Sequence, residues 1–119
     1  MAFEIARQRN GMKKVSLIDK ANVLSSMVYF RHIFERVAKD YPDCEADYVY
    51  VDASTLFMVR RPEMFDVMLT ENMFGDILSD LGAGLVGGMG MAPSADIGAD
   101  AAVFQPSHGS APDLSLIHI

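Results

Sequence analysis

Apolar and polar positions follow two kinds of periodicity along this chain. Apolar residues that recur every three to four positions predict helices, whereas alternation or a short apolar run predicts strands. Stop signals agree with these boundaries, because Asn10-Gly11 follows the first helix and Pro42 follows the second. The predicted order is helix 2–9, strand 14–18, helix 24–41, strand 47–51, helix 53–61, strand 65–70, a helix carrying Asp76 and Asp80, a loop over 82–98 and strand 101–105.

The alternation of strands and helices predicts an α/β fold, a layered, mostly parallel sheet flanked by helices. Ligands of such sheets bind at the carboxyl ends of the strands. Polar residues fall at four of these predicted ends, so we expect a functional site along this edge. They are residues 19–22, Asp52, residues 71–72 and residues 105–108.

Composition narrows the class of protein. The 119 residues carry a formal charge of −6 and half of them are apolar, which is typical of a globular chain. The acidic balance argues against nucleic-acid or membrane-surface partners, and no apolar stretch has the length of a membrane span. A single cysteine, Cys44, allows no internal disulfide and fits a reducing compartment such as the cytoplasm.

Asp76 and Asp80 carry the strongest chemical signal. Their spacing of four residues stacks both carboxylates on one helix face, where they repel each other unless a positive charge intervenes. No Lys or Arg follows Arg61 in the sequence. A divalent cation such as Mg²⁺ or Mn²⁺, which prefers oxygen ligands, is the better candidate. The alternative is a solvated acidic edge of a helix.

Two further residues at strand ends have both a structural and a functional interpretation. Lys20 is either an ordinary surface lysine or a partly desolvated base beside a metal and a substrate. Asp52 either caps the helix that follows it or acts as a third metal ligand.

Two segments suggest nucleotide binding. Gly82, Gly84 and Gly87 match G-x-G-x-x-G by letter, but that fingerprint must open a helix after a strand, and here it closes one. A helix that starts at these glycines would favour a Rossmann-type nucleotide binder. The loop 108–113 offers backbone N–H groups and a carboxylate to a nucleotide's ribose and adenine.

Together these segments resemble the isocitrate/isopropylmalate dehydrogenase family of β-decarboxylating dehydrogenases. The resemblance implies an isopropylmalate-dehydrogenase-like fold, of which this chain is a part. The order and spacing of the matching segments agree over nearly the whole chain. The segments are Asp19-Lys-Ala-Asn-Val-Leu24, Tyr50-Val-Asp52, Glu71-Asn-Met-Phe-Gly-Asp-Ile-Leu-Ser-Asp-Leu81, Ala92-Pro-Ser-Ala95 and His108-Gly-Ser-Ala-Pro-Asp113.

The resemblance implies an enzyme that oxidises a 2-hydroxy acid with NAD or NADP and expels the β-carboxyl group as carbon dioxide. Lys20 and Asp52 would be catalytic, reaching across a homodimer interface into the partner's site, so that the site is composite. By the same resemblance, Asp52, Asp76 and Asp80 bind Mg²⁺ or Mn²⁺; Lys20, Asn22 and Asn72 bind substrate; and Asn72, His108, Gly109, Ser110, Ala111, Pro112 and Asp113 bind the cofactor.

The resemblance also bears on the choice of cofactor and substrate. Asp113 would accept hydrogen bonds from the adenosine ribose hydroxyls and repel a 2′-phosphate, which predicts NAD. The His108–Asp113 loop favours a 3-isopropylmalate or tartrate/malate substrate, while isocitrate and homoisocitrate stay open.

Members of this family are much longer, and three of their features are missing: an N-terminal nucleotide-binding portion, an arginine-rich substrate helix and a catalytic tyrosine. Residues 114–119 do not match the family. We therefore expect a partial dehydrogenase domain over 1–113, a non-native or truncated tail over 114–119, and no activity from this chain alone. The alternative is a non-catalytic α/β dimerisation module.

Overall fold

The computed structural model describes residues 1–107 and contains two compact units. The first unit is Met1–Asp76, and the second begins at Ile77. A helix spans the boundary between them. The elements are α1 (Ala2–Arg9), β1 (Lys14–Asp19), α2 (Ser25–Ala38), β2 (Glu45–Tyr50), α3 (Val51–Arg60), a short 3₁₀ helix (Pro62–Met64), β3 (Val67–Leu69), α4 (Asn72–Leu85), β4 (Pro93–Ile97) and β5 (Ala102–Pro106).

The first unit contains a parallel three-stranded sheet with the order β2-β1-β3. Asp19, the last residue of β1, pairs with Tyr50, the last residue of β2. The carboxyl ends of the two strands therefore lie side by side, and the residues that follow them become neighbours. The predicted α/β class and the parallel sheet are confirmed.

The core of the first unit surrounds the central strand. Every residue of β1 after Lys14 is buried. Phe3 of α1 stacks on Phe34 of α2 with ring centroids 5.4 Å apart, and on Tyr41 at 4.9 Å. Burying aromatic side chains of this size stabilises a fold by about 2 kcal/mol each, so these contacts stabilise the packing of α1 and α2 against the sheet. The buried cluster consists of Phe3, Ala6, Val15, Leu17 and Phe34.

The end of α1 follows the sequence signal. Asn10 adopts the left-handed conformation, with φ 50°, and its N–H donates to the carbonyls of Ala6 and Arg7. Asparagine tolerates this conformation better than most residues, so the prediction that Asn10-Gly11 ends the helix is confirmed.

The start of α4 is fixed by a side chain. The Glu71 carboxylate accepts hydrogen bonds from the backbone N–H groups of Met73 at 2.8 Å and Phe74 at 2.7 Å. These are donors that the first turn of a helix cannot pair internally, so Glu71 acts as a cap.

The second unit holds an antiparallel hairpin of β4 and β5, in which Ala95 pairs with Phe104. The prediction of a loop over 82–98 is therefore wrong at both ends. Helix α4 continues to Leu85, because its last turn tolerates the glycines there, and the chain turns instead at Gly87 and Gly88, whose φ angles are 117° and 111°. Residues 93–97 form a strand because β5 supplies its hydrogen-bonding partner.

Smaller differences concern the ends of elements. Helix α2 is shorter than predicted at both ends, and β3 is shorter than the predicted strand 65–70. Strand β2 ends at Tyr50, so Asp52 lies in the first turn of α3 and not at the end of a strand. Within residues 1–107, no helix combines the length and apolar character needed to cross a membrane.

Candidate active site

Lys20 and Asp52 meet at the carboxyl edge of the sheet. Lys20 follows β1, and Asp52 lies in the first turn of α3, which begins where β2 ends. Because β1 and β2 are parallel neighbours, the side chains converge, and Lys20 Nζ lies 2.5 Å from Asp52 Oδ1. The hydrogen bond from Lys20 holds the pKa of Asp52 below its usual range, so this carboxylate is an anion at neutral pH.

The backbone around Lys20 is well anchored. The Lys20 carbonyl accepts hydrogen bonds from the N–H groups of Val23 and Leu24, both at 2.9 Å. The Lys20 ammonium group lies 5.6 Å from the centre of the Tyr50 ring, within the range of a cation–π contact. Lys20 thus lies on a tight turn, and its ammonium group is close to both a carboxylate and an aromatic ring.

An ion pair with a fully buried carboxylate lies immediately beside this turn. The Asp19 carboxylate is fully buried, and Arg31 of α2 binds both of its oxygens, Nε to Oδ2 at 2.5 Å and Nη2 to Oδ1 at 2.9 Å. The hydrogen bond to Asp19 raises the pKa of Arg31 above its usual value. The Arg31 guanidinium also lies over the rings of Tyr48, at 4.6 Å, and Tyr50, at 5.5 Å.

Sequence reasoning missed this pair, because it treated residues 19–22 only as a polar strand end. A signal was present on α2. Met27 and Phe34 are buried, and Arg31 lies between them at helical spacing, on the side of the helix that faces the core. A single charged residue on an apolar helix face indicates a buried partner of opposite charge.

The two aspartates predicted to bind a metal both lie in α4, and both are exposed. Phe74 and Leu78 are buried positions of the same helix, so the two aspartates lie on a different, exposed face. Carboxylate oxygens are ligands that suit Mg²⁺ or Mn²⁺. Among residues 1–107, no group of three His, Cys, Asp or Glu side chains is close enough to hold a metal. A site that takes Asp52 from a partner subunit stays a prediction.

The remaining predicted site residues have separate positions. Asn22 is exposed in the turn after Lys20, and Asn72 is the exposed first residue of α4. The predicted cofactor loop, residues 108–113, lies outside the described residues. Gly82 and Gly84 lie near the end of α4 and do not open a helix, which is inconsistent with a Rossmann-type binder at these glycines.

Comparison with known proteins places the chain in a family. A family model described as isocitrate/isopropylmalate dehydrogenase matches residues 1–119. The chain belongs to this family. The family resemblance predicted from the sequence motifs is therefore confirmed.

Individual relatives agree with this assignment. The 3-isopropylmalate dehydrogenase of Pseudomonas putida is 51% identical over 116 residues, covering 97% of this chain and 32% of that protein. Its counterpart from Archaeoglobus fulgidus is 50% identical over 115 residues, covering 96% of this chain and 35% of the relative. The chain thus spans about one third of the length of the curated relatives it matches.

Solved structures support the same fold. The crystal structure of isocitrate dehydrogenase from Methylococcus capsulatus has a TM-score of 0.88 and 50% identity, covering 98% of this chain and 34% of that chain. A β-decarboxylating dehydrogenase from Thermococcus kodakarensis has a TM-score of 0.81 and 40% identity, with 98% and 34% covered.

Proposed function

We propose that this chain supplies metal-binding and catalytic residues to an NAD-dependent enzyme that oxidises and decarboxylates a 2-hydroxy acid. The observation that carries the proposal is the direct contact of Lys20 with Asp52 at the carboxyl edge of the sheet, at 2.5 Å. The two residues are 32 positions apart in sequence, and the family resemblance implies a catalytic role for both. Family membership supports the reaction class.

Each residue has a proposed role. Asp76 and Asp80 of one subunit, with Asp52 of the partner subunit, would hold Mg²⁺ or Mn²⁺. When bound, such an ion supplies Lewis-acid stabilisation of negative charge on substrate oxygens. Lys20, in its neutral amine form, would accept the substrate hydroxyl proton at Nζ, and the anion of Asp52 would stabilise the ammonium group that results. Asn22 and Asn72 would orient the substrate, and Asn72 would also contact the cofactor.

The proposed cofactor is NAD, and the proposed substrate is 3-isopropylmalate or a tartrate- or malate-like acid. Relatives named 3-isopropylmalate dehydrogenase support the first of these substrates. The argument for NAD is the carboxylate of Asp113, which would repel a 2′-phosphate. We also propose a homodimer with a composite site and a cytoplasmic location, the latter on the single cysteine.

One observation also fits the alternative of a non-catalytic dimerisation module. Helix α4 exposes large apolar side chains, including Met73 at 53% and Ile77 at 56%. These two residues are four apart, so they lie on one face of the helix, as a helix–helix contact requires. A dimer formed through this face of α4 would have no catalytic activity if it did not bind the metal.

Titration of the purified chain with Mn²⁺ separates the two functions. We expect weak binding that falls at least tenfold in Asp76→Asn and in Asp80→Asn, because each loses one anionic oxygen ligand. The control variants Asp96→Asn and Asp100→Asn remove the same charge from exposed positions of the second unit and should bind like the parent chain. We also expect no NAD reduction by these 119 residues in the same samples.

Two results would count against the dehydrogenase proposal. One is an equal loss of Mn²⁺ affinity in the control variants, which would indicate only general attraction to an acidic surface. The other is the absence of Mn²⁺ binding at chain concentrations where dimers form, which would favour the dimerisation module.

A further inference from the structure

The burial of Asp19 needs an explanation beyond fold stability. Removing a carboxylate from water costs several kcal/mol, and a buried ion pair often contributes no more than apolar residues of the same volume would. Asp19 nevertheless has no solvent exposure, and all of its described hydrogen bonds go to Arg31 and to the N–H of Ala21. An ion pair with such a desolvation cost can be explained if it fixes the geometry of neighbouring groups.

Lys20 lies within reach of this pair by two routes. Through the backbone, Asp19 Oδ1 accepts the Ala21 N–H at 3.1 Å, so the carboxylate closes a turn that contains Lys20. Through side chains, the Tyr50 ring has the Arg31 guanidinium 5.5 Å from its centre and the Lys20 ammonium 5.6 Å from it. Arg31 thus helps to hold the ring against which Lys20 lies.

We propose that Asp19 and Arg31 are positioning residues for Lys20, Asp19 acting through the Ala21 N–H and Arg31 through the Tyr50 ring. The proposal rests on the proposed function, since it assigns the pair to the orientation of a catalytic lysine toward Asp52. A purely structural pair would stabilise the first unit and leave the order of the Lys20 side chain unchanged.

The chain contains a matched pair for comparison. Arg7 binds both carboxylate oxygens of Asp43 and lies 4.4 Å from the centre of the Tyr41 ring, so it repeats the chemistry of Arg31. Both members of this pair are partly exposed, and among the described contacts none joins them to Lys20. Its removal should therefore leave Lys20 unaffected.

NMR relaxation of the Lys20 side-chain methylenes in the 119-residue chain tests the proposal, with the Lys20 signals identified by their loss in Lys20→Arg. The test variant is the double substitution Asp19→Asn with Arg31→Met, which leaves no unpaired charge in the core. We expect the order parameter of the terminal methylene to fall below about 0.6, the range of flexible groups, while dispersed core signals persist. In Arg7→Met with Asp43→Asn we expect no change.

A second variant covers the case in which the double variant does not fold. Arg31→Lys keeps a charge beside Asp19 but loses the planar fork that binds two oxygens and lies over the tyrosine rings, so the order of Lys20 should still fall. An unchanged order of Lys20 in a folded test variant, or an equal fall in the Arg7 control, would overturn the proposal. Neither result depends on metal, NAD or turnover, so it can be distinguished from failure of the proposed function.

Discussion

At the scale of single residues, Asp66 shows how one carboxylate can join distant parts of the chain. Its side chain is only 5% exposed and accepts from Arg9 Nε at 2.8 Å and from the Lys14 backbone N–H at 3.3 Å. It thereby links the entry to β3 with the end of α1 and the start of β1. The hydrogen bond from Arg9 lowers the pKa of Asp66 below its usual value.

This lowered pKa predicts a dependence of stability on pH. The contribution of Asp66 is present above the unfolded-state pKa of about 3.9 and is lost as the pH falls through the lower folded-state pKa. We expect Asp66→Asn to reduce the free energy of unfolding at pH 7 by about 1 kcal/mol and to flatten its decline below pH of about 4. Urea unfolding across this pH range measures both effects.

Asp43→Asn is the control for Asp66→Asn. Asp43 also has a lowered pKa, through its hydrogen bond with Arg7, but its side chain is 42% exposed, and exposed pairs contribute little. A loss of stability in Asp43→Asn as large as that in Asp66→Asn would contradict the role given to burial.

At the scale of elements, two glycines of α4 predict opposite effects of the same substitution. A Cβ at Gly75 would lie 2.7 Å from Thr70 Oγ1, whereas a Cβ at Gly84 would have no neighbour within 4 Å. We expect Gly75→Ala to destabilise the chain by about 1–3 kcal/mol through this clash. Gly84→Ala should stabilise it by about 0.5–1 kcal/mol, because alanine favours the helix.

Chemical denaturation of the two alanine variants checks this difference in sign. Thr70→Ala removes the hydroxyl group and should restore much of the stability lost in Gly75→Ala. The explanation fails if both glycine substitutions change stability in the same direction, or if Thr70→Ala gives no rescue.

The elements also show what the sequence could predict. Helix α1 and strand β1 follow from local signals, since Asn10-Gly11 ends one and an apolar run makes the other. The prediction of a loop over 82–98 is wrong at its start because Gly82 and Gly84 do not end α4, which continues to Leu85. Strand β4 depends on pairing with β5, which a local reading of residues 93–97 does not contain.

The candidate site also has one part that the sequence predicts and another part that it does not. Lys20 and Asp52 were predicted as polar residues near strand ends, and the parallel register explains why they meet. The pairing of Asp19 with Arg31 depends on how α2 packs against β1, so it required tertiary structure. Whether three aspartates share a metal is a question about two chains and stays a prediction.

At the scale of the whole molecule, a composite metal site predicts complementation between defective chains. Asp52→Asn and Asp76→Asn chains should each bind Mn²⁺ poorly, because every site in either homodimer lacks a carboxylate. Mixing them in equal amounts should restore about a quarter of the sites, since half of randomly paired dimers are mixed and each of these has one intact site.

The stoichiometry of Mn²⁺ binding in the mixed sample measures this recovery. A mixture that binds no better than its components, although sedimentation shows that the chains exchange partners, would contradict a shared site. A mixture of Asp76→Asn and Asp80→Asn chains is the control, because both substitutions fall in the same half of the site and mixing cannot repair it.

The central position of β1 has a consequence for how the chain is made. β1 pairs on both edges with strands that follow it in sequence, the later of which ends at Leu69. Within this segment, a ribosome therefore releases β1 some fifty residues before β3, its second partner. During that interval an apolar strand with an open edge is available to other nascent chains, which favours aggregation.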